Sequence, residues 1–123
     1  MLSPCKIATF IATSDTERAK EFYGGKLGLE LVDDDPYALV YAVGDTTLRV
    51  QKGQDFTPHP FTVLGWHVPD IESSVKDLKK KGVRFERYEG FGQDDLDIMT
   101  FPNGAKVAWF KDPDGNVLSL DNQ

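Results

Sequence analysis

Few side chains in this 123-residue chain offer focused chemistry. His67 stands near the end of a strand-like run, Thr62 to Val68. An imidazole there is either a ligand contact or general base, or a hydrogen-bonded and partly exposed surface group. His59 lies in a Pro-rich stretch where solvation is the plainer reading. The two histidines share no helix and no metal-like spacing, so they are not paired. Arg49, inside Leu48-Arg49-Val50, is costly on a sheet interior unless paired. It either forks onto a ligand carboxylate or phosphate or closes an internal salt bridge. Phe10 and Trp109 either wall a small organic ligand or fill the core. Cys5 has no basic neighbour in sequence, which disfavours nucleophilic catalysis. The chain has no Gly-rich phosphate loop, Ser-His-Asp order or zinc-finger spacing.

The elements that must position these groups follow from periodicity. Lys6 to Thr13 reads as a strand apolar on both faces, with Ile7 and Ile11 on one side and Ala8, Phe10 and Ala12 on the other. Ser14 to Glu17 reads as a capping box, with Ser14 as N-cap. The following helix carries Ala19, Phe22, Tyr23 and Leu27 as one stripe, and Gly28 stops it. Strands are expected at Leu29 to Val32, Tyr37 to Val43 and Thr46 to Gln51, with an acidic turn at Asp33 to Pro36 and a tight hairpin at Gly44-Asp45. Gly53 to Phe61 has two prolines and no periodicity, and reads as a linker.

After the linker the order repeats. Thr62 to Val68 is a strand, and Asp70 caps a helix with the stripe Ile71, Ser74, Val75 and Leu78. Lys79, Lys80 and Lys81 complement that helix's C-terminus, and Gly82 stops it. Val83 to Tyr88 is expected as a strand, Glu89 to Asp97 as a loop that is either a lid or a surface excursion, and Ile98 to Phe101 as a short strand. Asn103-Gly104 signals a hairpin. The chain closes on Lys106 to Leu120, two strand runs around Asp112-Pro113-Asp114-Gly115-Asn116, where Pro113 presets φ and Gly115 can take φ > 0. Superposing Asp15 on Asp70 aligns the halves: each follows a strand, opens a helix and precedes a glutamate (Glu17, Glu72) by two residues. The chain therefore reads as a duplicated βαβββ unit, and each unit alone exposes one sheet face.

Composition narrows the function. The net charge is −6, from 14 basic and 20 acidic side chains. That disfavours nucleic acid, whose binding depends on neutralising phosphates, and disfavours an anionic membrane surface. It serves solubility or modestly favours cationic ligands. No apolar run approaches the ~18–20 residues of a membrane span, and no basic-then-apolar start suggests secretion. A single cysteine rules out an intrachain disulfide and fits a reducing cytosol.

Two markers in the right halves, Asp15…Phe22-Tyr23…Leu27-Gly28-Leu29 and the closing DPDGN turn, resemble the vicinal oxygen chelate superfamily. That group includes glyoxalase I, extradiol dioxygenases, fosfomycin-resistance enzymes and bleomycin-resistance proteins. The resemblance spans roughly Ile7 to Leu120 and implies two curved, incomplete barrels, with metal ligands in the enzymes on the first and last strand of each unit. Those positions here are Ala8 and Val63 on the first strands, and Arg49 and Ser119 on the last. None is an imidazole, carboxylate or thiolate, so the metal site of such enzymes is expected to be absent. On the same concave surfaces the resemblance puts His67, Trp109, Phe10 and Val107, the tryptophan by hairpin parity with Ser119.

These readings combine into an α+β fold of mostly antiparallel pairing: one domain over 1–123, with units at 6–52 and 62–121 joined by linker 53–61. Phe10, Arg49, His67, Trp109 and Ser119 are the expected ligand-binding residues, with no metal and no cofactor. The leading expectation is a cytoplasmic, homodimeric, metal-free binder of a small organic molecule, resembling the bleomycin-resistance branch. The alternatives are a lyase, isomerase or dioxygenase on a small organic substrate, and a partner-binding module with a filled cleft.

Overall fold

The computed structural model describes residues 1–53 and 55–123. Gln54, in the expected linker, lies outside the described residues. The chain divides into two compact units, Met1–Thr57 and Pro58–Gln123.

The first unit runs β1 (Ala8–Ala12), α1 (Thr16–Lys20), a π-helical segment (Glu21–Lys26), β2 (Glu30–Asp34), β3 (Ala38–Val43) and β4 (Thr46–Gln51). Its sheet has the order β1-β4-β3-β2, with β1 parallel to β4 and the other pairs antiparallel. Strand pleating sends Leu39, Tyr41, Leu48 and Val50 to the helix side, where they are buried with Ala19, Phe22 and Tyr23. The Tyr23 and Tyr41 rings meet at 6.1 Å between centroids. Burying each of these large side chains contributes roughly 1.5–3 kcal/mol.

The helix start differs from the expected capping box. Asp15, not Ser14, is the N-cap: its backbone is extended at φ −143° and its carboxylate accepts the Arg18 N–H at 3.2 Å. Thr13 fixes that geometry, its hydroxyl accepting the Asp15 N–H at 3.1 Å and donating to the Asp15 carbonyl at 3.0 Å. The chain then widens into a π turn, where the Leu27 N–H reaches the Phe22 carbonyl, and leaves through Gly28 at φ 71°. The second strand starts later than expected and runs through Asp34, with a register shift between Leu31 and Asp33. The turn is therefore shorter, and Asp35 makes it by accepting the N–H groups of Tyr37 at 2.7 Å and Ala38 at 2.8 Å. Those two bonds, Tyr37 first, hold the Asp35 carboxyl below its ordinary range.

The second unit repeats the plan: β5 (Thr62–His67), α2 (Ile71–Lys80), β6 (Met99–Thr100), β7 (Lys106–Lys111) and β8 (Val117–Asp121). Its sheet order is β5-β8-β7-β6, with β5 parallel to β8. Both sheets are thus mixed, and the expected α+β class and duplicated βαβββ topology hold. Asp70 caps α2 by accepting the Ser73 N–H at 3.1 Å. Ile71 and Val75 of α2 are buried with Ala108, Phe110, Leu118 and Leu120, and Phe85 packs on Phe110 at 5.2 Å. The DPDGN turn is held by Asp112, which accepts the Asp114 and Asn116 N–H groups at 3.0 and 2.9 Å. Gly115 has φ 91°, and a Cβ there would meet Pro58 Cγ at 3.1 Å.

One expected strand is largely replaced. Val83 to Tyr88 contributes only the bridge Phe85↔Phe110 and the bond from the Glu86 N–H to the Trp109 carbonyl. Beyond Glu86 a side chain takes the ladder's place. Gln93 donates to the Glu86 carbonyl at 2.8 Å and accepts the Tyr88 N–H at 2.6 Å, and the chain leaves the sheet. It returns to the same edge at Met99↔Val107, so the edge strand is split in two by residues 87 to 98.

Candidate functional site

In each unit one sheet face carries the helix and the other does not. On the helix-free face of the first sheet, Phe10 and Arg49 are cross-strand partners, and Arg49 also opposes Val40. Phe10 is 54% exposed and is not core filling within its unit. Of the two readings of Arg49, the salt bridge is present in loose form: its guanidinium stands 3.6 Å from the Asp35 carboxylate. That is beyond ordinary hydrogen-bond range, and both side chains are about a third exposed, so the pair is worth little.

On the helix-free face of the second sheet, the register settles which residues are neighbours. Gly65, Ser119 and Trp109 form one row across β5, β8 and β7. His67, Asp121 and Val107 form the next. His67, Trp109 and Ser119 therefore share a face, as the hairpin parity of Trp109 and Ser119 requires. A register shift between Thr62 and Leu64 in β5 falls at Val63, the first-strand position of this unit.

The centre of this face is low because its residues are small. A Cβ built on Gly65 would stand 2.5 Å from the Ser119 hydroxyl oxygen and 3.3 Å from the Ser119 carbonyl. The serine side chain occupies the space that only glycine leaves open. On one flank, Trp109 meets Tyr88 at 5.6 Å and Phe91 at 5.5 Å, both edge to face, and Tyr88 meets Phe91 at 5.3 Å. Burial, with a smaller contribution from Glu86, pushes the Tyr88 phenol up, so it stays protonated at neutral pH. On the other flank, the His67 Nδ1 lies 2.5 Å from the Asp121 carboxylate. That carboxylate also accepts the Gln123 N–H at 3.1 Å.

The aromatic flank rests on the inserted segment 87 to 98, which is densely bonded. Arg87 donates to the Asp94 carbonyl at 2.8 Å, the Gln93 carbonyl at 2.9 Å and the Asp97 carboxylate at 2.6 Å. Lys79 of α2 pairs with the same carboxylate at 3.0 Å. Asp97 itself has φ 66°, a conformation that aspartate tolerates better than most residues. Burial alone would raise its carboxyl, but the hydrogen bonds from Lys79 and Arg87 outweigh burial and hold it below its ordinary range. Gln93 adds a third bond, to the Asp97 carbonyl at 2.8 Å.

Gly65, Tyr88, Phe91, Gln93 and Asp121 were not among the candidates that sequence reasoning identified. A glycine inside a strand signals close approach, and Asp121 lies two residues beyond Ser119 on one strand face. Tyr88 carries no such signal, because the alternation of residues 83 to 88 reads as a strand, and Phe91 lies in the 89–97 loop, read only as a lid or a surface excursion.

A divalent ion needs imidazole, carboxylate or thiolate donors. Ala8 and Val63 are hydrocarbon, Arg49 is a fixed cation and Ser119 offers one hydroxyl. Among the described residues no group of three or more His, Cys, Asp or Glu side chains could hold a metal ion. The donor set at these positions does not fit such an ion. No helix of the described residues is long and apolar enough to cross a membrane.

Residues 6–120 match the family model described as Glyoxalase/Bleomycin resistance protein/Dioxygenase superfamily. No curated protein matches the chain. Among solved structures, the glyoxalase family protein from Enterococcus faecalis is 23% identical, with a TM-score of 0.78 over 98% of this chain and 99% of that one. A member of the same superfamily from Sphaerobacter thermophilus is 28% identical, with a TM-score of 0.71 over 93% of each chain. A lactoylglutathione lyase from Agrobacterium tumefaciens is 18% identical, with a TM-score of 0.74 over 97% of this chain and 94% of that one, a likeness of fold alone.

Proposed function

Because the chain belongs to the Glyoxalase/Bleomycin resistance protein/Dioxygenase superfamily, we propose that it is a metal-independent binder of a small organic molecule, taken up on the helix-free face of the second sheet. The observation that carries this reading is the pairing of a low centre, Gly65 and Ser119, with a preassembled aromatic flank of Trp109, Tyr88 and Phe91. Rings held by a bonded loop lose little entropy when a guest arrives. A flat guest gains apolar burial against them and a hydroxyl partner in Ser119. On the first sheet, taken by itself, Phe10 and Arg49 are a separate candidate contact pair, an aromatic surface beside a weakly engaged guanidinium. The same reading has the protein as a cytosolic homodimer without nucleic-acid or membrane partners, in keeping with a net charge of −6.

A thermal-shift screen tests it, since a ligand that binds only the folded state raises the melting temperature. Small aromatic compounds should stabilise the protein equally with and without chelator. Stabilisation by divalent metals alone would instead favour the enzyme reading, a lyase, isomerase or dioxygenase of the superfamily. No response to either class would favour a partner-binding module.

A further inference from the structure

We propose that His67 and Asp121 form a proton-accepting contact that selects guests of the phenol class, molecules with a planar ring bearing an acidic hydroxyl. The proposal rests on the small-molecule reading of the second sheet and deepens it. Its basis is the parallel register His67↔Asp121, which sets an imidazole beside a carboxylate at 2.5 Å. A carboxylate accepts, so this hydrogen bond places a ring proton on Nδ1, and in the neutral imidazole the lone pair is then on Nε2. Asp121 is itself anchored by the Gln123 N–H and is only 21% exposed, whereas the imidazole is 72% exposed. The acceptor nitrogen is thus oriented from behind and open in front.

The distances suit one ring. With neighbouring strands about 4.8 Å apart, β5 and β7 are about 10 Å apart across the intervening β8, and His67 is one row, about 6.6 Å, further along than Trp109, so their backbones stand about 12 Å apart. Ser119 on β8 lies between them, with Gly65 beside it on β5, and neither adds bulk. A guest ring against Trp109 can turn one hydroxyl toward His67 over that floor. An anionic guest would meet the Asp121 carboxylate and an acidic protein, so the guest arrives neutral and carries its proton in. On binding, the guest O–H bond breaks and a new N–H bond forms at Nε2. The oxygen keeps the electron pair as phenolate, and the imidazolium is balanced by Asp121. No oxidant, reductant or metal takes part. Asp121 is a positioning residue here, because it acts through the imidazole.

The probe is 4-nitrophenol, whose phenolate has a separate visible absorption band. It is titrated in chelator near neutral pH, where the free probe is part phenol and an ordinary imidazole is mostly neutral. Binding is read independently from Trp109 fluorescence in a Trp66→Phe background, which leaves one tryptophan. Saturable growth of the phenolate band in step with quenching is expected. His67→Asn should cut the band at least tenfold while quenching persists. Asp121→Asn should cut it severalfold, and circular dichroism of both variants should match the parent. Quenching without a phenolate band, or a band unchanged in His67→Asn, overturns the proton contact alone. Absence of quenching overturns the small-molecule reading together with it.

Discussion

Gly65→Ala reports directly on how the floor of the second sheet is built. The added Cβ would stand 2.5 Å from the Ser119 hydroxyl, 3.3 Å from the Ser119 carbonyl and 3.8 Å from its Cβ. An ordinary contact begins near 3.4 Å, so the hydroxyl must rotate away while the carbonyl gives by about a tenth of an ångström. Overpacking of a fitted site, its off-rotamer strain included, costs about 1–3 kcal/mol. Replacing glycine by alanine within a strand returns about 0.5–1 kcal/mol of backbone entropy. The net expectation is a loss of about 1 kcal/mol, or roughly 3–5 °C in melting temperature for a chain of this size. Because the offending atom is the hydroxyl, the cost should vanish in a Ser119→Ala background, where only the carbonyl and Cβ contacts remain. Urea unfolding of the two single variants and the double variant, followed by far-ultraviolet circular dichroism, gives a coupling energy of about 1 kcal/mol. Equal costs of Gly65→Ala in both backgrounds would refute the claim that the serine hydroxyl occupies the space above Gly65.

Gln93→Ala removes three hydrogen bonds from a side chain that is nearly buried, and should cost about 2–3 kcal/mol while releasing Tyr88 and Phe91 from Trp109. A red shift of Trp109 fluorescence in the Trp66→Phe background measures the release. Asp97→Asn keeps a residue that tolerates φ 66° but loses the charge shared by Lys79 and Arg87, and should cost about 1–2 kcal/mol by urea unfolding. Since the folded Asp97 carboxyl is held below its unfolded range, its contribution is full at neutral pH. It falls away as pH drops from about 4 through the lowered folded value, so the gap between parent and Asp97→Asn should close in acid. Asp35→Ala should lower the urea midpoint by losing two turn bonds, whereas Arg49→Ala should leave it nearly unchanged.

The duplicated fold was legible because its signals are local. Asp15 and Asp70 each cap a helix through their own neighbouring N–H groups, and the DPDGN turn fixes the parity that puts Trp109 beside Ser119. The exact caps were less so, since Ser14 and Asp15 are both good capping residues and only backbone geometry chooses between them. The His67 and Asp121 pair depends on a parallel register between strands more than fifty residues apart, which no local pattern encodes. The split edge strand was hidden for a different reason. Residues 83 to 88 alternate as a strand should, but the side chain of Gln93 captures the Glu86 carbonyl and the Tyr88 N–H that a ladder would use. The aromatic flank, built from that excursion, therefore emerges only in three dimensions.

The most direct test of a metal-independent site is elemental analysis of the protein purified without chelator and without an affinity tag. The expected result is zinc, nickel, manganese and iron each far below one ion per chain, with aromatic binding unchanged when any of them is added. One tightly held ion per chain, whose removal abolishes ligand binding, would contradict the account.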